Sequence, residues 1–155
     1  MSSTRELSAS VTIDASPEAV WAVLTDFSRM QEWSPETVRM IPVGRGSDVR
    51  VGRWYLGINK RGLVVWPTRN RLAEYEPPRT LAWDTVDSGA RWIYELTQSG
   101  TGTLLTERRP APRDLTGLSK AFAKLFLGGV DAHADELEDG MCETLIRIKA
   151  GVESR

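Results

Sequence analysis

The feature that most limits how this chain can fold is a series of turn signals between Thr37 and Pro110. GRGSD (Gly44–Asp48), NKRG (Asn59–Gly62), EPPR (Glu76–Arg79), DSGA (Asp87–Ala90) and QSGTG (Gln98–Gly102) separate runs rich in β-forming residues. Gly, Pro, Asn, Asp and Ser punctuate a chain because they supply the backbone angles and local hydrogen bonds that tight turns need. Five such turns imply six strands. The connections are too short for the dozen or so residues of a parallel crossover, so sequential strands must run antiparallel. The segment therefore reads as a six-stranded antiparallel meander.

Helical signals flank the meander. Glu6–Ile13 (ELSASVTI) comes first and alternates as a strand, with Leu7, Ala9, Val11 and Ile13 on one face, and it is expected to join a sheet edge. Ser16 then offers an N-cap and Pro17 suits the first helical position. Val20, Val23, Leu24 and Phe27 follow at helical spacing, flanked by Trp21. Asp26 and Ser28 interrupt that stripe. Ser28 with Gln31 has capping-box spacing and predicts a second short helix, which Pro35 limits by disfavouring helix at Ser34. Beyond Pro112, Asp114 suits an N-cap. Leu118, Phe122, Leu125 and Phe126 form one stripe, and Val130, His133, Leu137, Met141, Leu145 and Ile148 another. A straight helix from Leu115 to Lys149 would be about 52 Å long. That exceeds the expected width of the domain, so a bend is expected at Gly128–Gly129. The order is α+β: a seven-stranded sheet, two short helices after the first strand, and one long helix at the end. A sheet curled around that helix would leave part of its concavity unfilled.

Length and charge narrow the functional classes. The 155 residues suit a single domain, residues 1–155, with a sizeable core. A formal charge of −1 gives no electrostatic support for a nucleic-acid partner or an anionic membrane. No run approaches the roughly 18 apolar residues of a spanning helix, and the first residues lack a signal-peptide core. A soluble, cytoplasmic protein without stable membrane insertion is expected, as monomer or homodimer. The single cysteine, Cys142, precludes an internal disulfide and is expected to pack as a small hydrophobe beside Met141. His133 is the only histidine, so no Cys/His metal cluster can form, and no cofactor motif is present.

Several segments together resemble the START-like (SRPBCC) superfamily, in its bacterial polyketide cyclase/dehydrase and lipid-transport branch. They are Ile13–Asp26, the EWSP at Glu32–Pro35, EYEPPRTLAW at Glu74–Trp83, RWIYEL at Arg91–Leu96 and GTLLTE at Gly102–Glu107. The resemblance spans Glu6 to Lys149. It implies a helix-grip fold, a curved seven-stranded antiparallel sheet wrapped around a long C-terminal helix. Members bind lipids, sterols, polyketides or plant hormones, and some catalyse cyclisation or hydrolysis.

Strand phase then selects residues for the concave side. Trp66, Thr68, Asn70 and Leu72 share one face, as do Leu81 and Trp83; Trp92, Tyr94 and Leu96; and Thr103, Leu105 and Glu107. The opposite faces carry Arg69, Arg71, Arg91 and Arg108. The strand Arg53–Ile58 is ambiguous, since Trp54, Leu56 and Ile58 make an apolar face, but the resemblance implies that Tyr55, Gly57 and Asn59 point inward and Trp54 outward. The expected ligand-contacting set is Trp33, Tyr55, Trp66, Thr68, Asn70, Trp83, Trp92, Tyr94, Leu105, Phe126 and His133, with Trp33 as a gate. Aromatic walls with a few polar anchors suit a small-molecule pocket. The catalytic candidates are His133, Glu107 and Tyr94, of which His133 titrates near neutrality. Three functions follow: a binder of a hydrophobic, lipid- or polyketide-like molecule; a polyketide cyclase/dehydrase that folds its substrate and uses a few acid/base groups; or a protein-interaction module of the same fold.

Overall fold

The computed structural model describes residues 6–46, 48–110 and 130–154, with side chains of the last stretch described from Glu138. The strands are β1 (Leu7–Ile13), β2 (Thr37–Pro42), β3 (Trp54–Arg61), β4 (Val64–Glu76), β5 (Thr80–Thr85), β6 (Ala90–Ser99) and β7 (Gly102–Arg109). They form one antiparallel sheet in the order β1-β7-β6-β5-β4-β3-β2. Six strands make the expected meander, and β1 closes the far edge by pairing with β7, Ile13 opposite Thr103 and Leu7 opposite Arg109. Each hairpin coincides with a turn signal, though NKRG is mostly strand and only its glycine lies in the turn. A C-terminal helix, Val130–Glu153, lies against β1 and against the first helix, α1 (Pro17–Leu24). This is the helix-grip fold.

Helix α1 begins as expected, with the Ser16 hydroxyl accepting the amide of Ala19 at 3.2 Å. It buries Val20, Trp21, Val23 and Leu24. Phe27 lies beyond its end but is still buried, and it meets Tyr55 and Trp83 edge-on at 5.2 and 6.1 Å between centroids. Edge-to-face contacts of this kind add to the area buried. The second short helix is a 3₁₀ segment, Phe27–Glu32, and its capping box does not form. Asp26 takes the N-cap position without a side-chain cap, and the Ser28 hydroxyl donates to Asp26 Oδ1 at 2.5 Å. The tighter 3₁₀ path, with a non-helical Arg29, leaves no N3 geometry for Gln31.

The C-terminal helix buries Met141, Leu145 and Ile148 and runs one turn beyond Lys149 to Glu153, where Val152 is also buried. Its end is fastened to β1. Lys149 Nζ donates to the carbonyl of Thr12 at 2.8 Å, and Glu153 accepts both the Asp14 amide and Lys149. Cys142 is exposed rather than packed, because it lies about 100° around the helix from the Met141 stripe. Asp114, Leu118, Phe122, Leu125 and Phe126, with the expected bend at Gly128–Gly129, lie outside the described residues, as do the side chains of Val130, His133 and Leu137.

Candidate functional site

Register places the inner face of each strand. Tyr55, Gly57 and Asn59 of β3 are buried, whereas Trp54 is 40% exposed on the outer face beneath the guanidinium of Arg71. On that outer face Arg69, Arg91 and Arg108 pair with Asp87, Asp84 and Glu95. Thr68, Asn70 and Leu72 continue the inner face of β4, with the half-buried Trp66 near the hairpin. A β-bulge between Leu72 and Glu74 then shifts the phase. It brings Tyr75 inward, where its ring lies 5.6 Å from that of Trp21. Simple alternation predicts the opposite face for Tyr75.

The inner polar groups of β2 to β5 satisfy one another. Thr37 Oγ1 donates to Asn59 Oδ1 at 2.8 Å, and Asn59 Nδ2 donates to Thr68 Oγ1 at 3.1 Å. Asn70 Nδ2 donates to the same hydroxyl at 3.2 Å, and Thr85 Oγ1 donates to Asn70 Oδ1 at 2.7 Å. The strip passes over Gly57. A Cβ there would stand 2.7 Å from Thr68 Oγ1 and 2.8 Å from Asn70 Nδ2, so the glycine makes room for the network. Sequence reasoning assigns Thr68 and Asn70 to ligand contact, and the structure gives both of them protein partners. Arg53, also buried, plays a structural part. It donates to the carbonyls of Gly46 and Asp48 at 2.6 and 2.7 Å and holds the loop after β2.

The β6–β7 side differs. Tyr94 and Glu107 face each other across the ladder, and the Tyr94 hydroxyl donates to Glu107 Oε2 at 2.8 Å. Glu107 is 3% exposed, and its Oε1 is buried without a hydrogen-bond partner. Burial raises its pKa to about 8, against the lowering effect of the Tyr94 hydrogen bond. It is therefore protonated at neutral pH. Burial, then the charge and hydrogen bond of Glu107, push the Tyr94 phenol well above its ordinary range. The Tyr94 ring stacks at a tilt on Trp83, 5.5 Å between centroids, and Leu105 is fully buried on the same face of β7. Trp92, half-buried, extends this wall along β6. These groups look across the concavity.

Trp33 sits apart from that wall. It caps the 3₁₀ segment, is 4% exposed within the main core, and its Nε1 is buried without a partner. With Val23, Arg29, Glu32, Arg147 and Gly151 it lines a cleft of about 120 Å³ between the 3₁₀ segment and the C-terminal helix. That volume suits a few waters rather than a drug-sized ligand. Of the expected ligand-contacting set, the structure thus gathers Trp83, Trp92, Tyr94 and Leu105 beside Glu107, and Tyr55 joins them through Phe27. Trp66, Thr68 and Asn70 lie further along the sheet and Trp33 at the helical end. Phe126 and the His133 side chain lie outside the described residues. No group of three or more His, Cys, Asp or Glu among the described residues could hold a metal. No described helix is long and apolar enough to cross a membrane.

Comparison with known proteins agrees with this architecture. A search of curated proteins gives no match. Among solved structures, the polyketide cyclase-like protein Cgl2372 of Corynebacterium glutamicum is 26% identical, with a TM-score of 0.65 over 96% of this chain and 91% of that one. TTHA0849 of Thermus thermophilus has a TM-score of 0.69 at 12% identity, covering 96% of this chain and 97% of that one. The di-domain ARO/CYC protein StfQ of the steffimycin biosynthetic pathway has a TM-score of 0.73 at 16% identity, over 97% of this chain and 51% of that one. At residues 4–140 the sequence matches the family described as polyketide cyclase/dehydrase and lipid transport, and the chain belongs to that family.

Proposed function

We propose that this protein binds a hydrophobic small molecule, lipid- or polyketide-like, against the concave face of its sheet. The observation that carries the reading is Glu107: a buried carboxyl set among Trp83, Trp92 and Tyr94, with one oxygen unpartnered. A native core seldom leaves such an atom unsatisfied, and a ligand hydroxyl or carbonyl would complete it. Native mass spectrometry on protein purified from its own host tests this directly. A co-purifying hydrophobic compound is expected, displaced when Trp83→Ala opens the wall. Protein that is ligand-free and that also fails to take up any member of a lipid and polyphenol library would refute it.

A second reading, a polyketide cyclase/dehydrase, is favoured by the protonation of Glu107 at neutral pH. A neutral carboxylic acid beside a tyrosine could protonate a departing hydroxyl during dehydration, while the aromatic wall folds the substrate into one geometry. The two readings separate on one variant. Glu107→Gln should leave a carrier's affinity within a few-fold. In a cyclase it should lower the rate of turnover of a poly-β-keto substrate by about 10²-fold or more with little change in binding. His133→Ala provides the same contrast for the second acid/base candidate.

A further inference from the structure

The inner face of β7 does not end at Glu107. The next inward position is Arg109, only 7% exposed, with its guanidinium carbon 5.4 Å from the centre of the Trp92 ring. Its Nε is buried without a hydrogen-bond partner, and among the described residues the guanidinium has no ion pair. Burial works against its charge, and the field of Glu36 favours it. Arginine nevertheless stays protonated at neutral pH. Burial raises the pKa of the neighbouring acid, Glu107, to about 8, which weakens it as a counter-charge. The result is a buried cation laid on an aromatic ring, with its Nε left without a partner. Such a group is costly to fold around unless an anion completes it.

We propose that Arg109 anchors the anionic end, a carboxylate or enolate, of the ligand whose hydrophobic body lies along Trp92, Tyr94 and Trp83; this rests on the binding reading above. A guanidinium fork pairs with a planar anion through two parallel hydrogen bonds, and its stacking on Trp92 fixes the plane of that fork. The protonated Glu107, one inward position away, then offers a hydrogen-bond donor to a second oxygen of the same molecule. The ligand class is an acidic aromatic or amphiphile, and neutral sterols and triglycerides are disfavoured.

Matched probes test this. Binding of 2-naphthoate and dodecanoate is compared with that of their methyl esters by calorimetry, on wild type, Arg109→Met and Arg109→Lys. In the wild type the acids should bind at least ten-fold more tightly than the esters. Arg109→Met should erase that preference while leaving ester binding within two-fold and the melting temperature unchanged or higher. Arg109→Lys should retain part of the preference. Acid and ester binding equally to the wild type would overturn the anion anchor and leave the hydrophobic reading standing. Failure of every probe to bind would overturn both. If Arg109→Met unfolds, Arg109→Lys decides alone: a reduced but persistent acid preference supports the anchor, and a preference equal to that of the wild type overturns it.

Discussion

The two halves of the sheet treat the polar side chains of their inner strand faces differently, although Arg53, just before β3, also keeps a buried Nε without a partner. From β2 to β5, Thr37, Asn59, Thr68, Asn70 and Thr85 hand hydrogen bonds from strand to strand. On β6 and β7, the Tyr94–Glu107 pair and Arg109 keep atoms that nothing in the described structure satisfies. Polarity on an inner face is therefore not by itself a sign of a binding site. A closed network specifies register and rigidity, whereas an open one is waiting for a partner. On the proposed reading, the first half of the meander is scaffold and the second half meets the ligand.

The sharpest way to break this contrast is at Gly57. Gly57→Ala drives a methyl into Thr68 and Asn70. It should cost about 2–4 kcal/mol in urea unfolding, through overpacking and orphaned polar groups. A loss below about 0.5 kcal/mol would show that the strip is not a structural network. Asn70→Ala should cost about 1–3 kcal/mol, because it strands the buried Thr85 hydroxyl and removes one of the two amides that Thr68 accepts. Its effect on ligand affinity should be no more than the stability loss explains.

The β6–β7 half has a distinct pH signature. The Glu107 pKa is raised from 4.5 to about 8 on folding, so between those values the folded state holds a proton that the unfolded state has released. The stability associated with that proton is complete below about pH 4.5 and is lost as pH rises towards 8, by an amount on the order of a few kcal/mol. Chemical unfolding of the wild type across this window should show the decline, and Glu107→Gln should flatten it. A wild-type profile that rises from about pH 5 to 8 would mean Glu107 is ionised in the fold. Cys142→Ala should have the smallest effect, within about 0.5 kcal/mol, since the thiol is exposed. A thiol reagent should label it without unfolding.

The scaffold is largely legible in the sequence, because turn residues and two-residue alternation are local signals. Exposed arginines opposite buried aromatics give the sheet its correct sides. What escapes is whatever depends on a departure from regularity or on three-dimensional pairing. The bulge after Leu72 carries no residue signature, so alternation alone does not place Tyr75 inside. The Ser28/Gln31 spacing suggests a helix that the chain draws as a 3₁₀ turn. Arg109 is in phase with Glu107, but a positive charge ordinarily marks the outer face, and only burial and its seat on Trp92 reveal otherwise. Whether Thr68 and Asn70 satisfy each other or a ligand is likewise a matter of distances that no sequence encodes.

The pairing of β1 with β7 has a consequence for how the chain is made. Every other ladder joins strands adjacent in sequence, but Ile13 has to find Thr103 and Leu7 has to find Arg109. During synthesis the meander can assemble hairpin by hairpin as it leaves the ribosome, while β1 stays without a partner until most of the chain has emerged. Once β7 has emerged, the edge bearing Glu107 and Arg109 stays open until β1 pairs with it. Strand addition at that edge is thus the step at which a nascent chain of this protein is most exposed to mispairing with a neighbour.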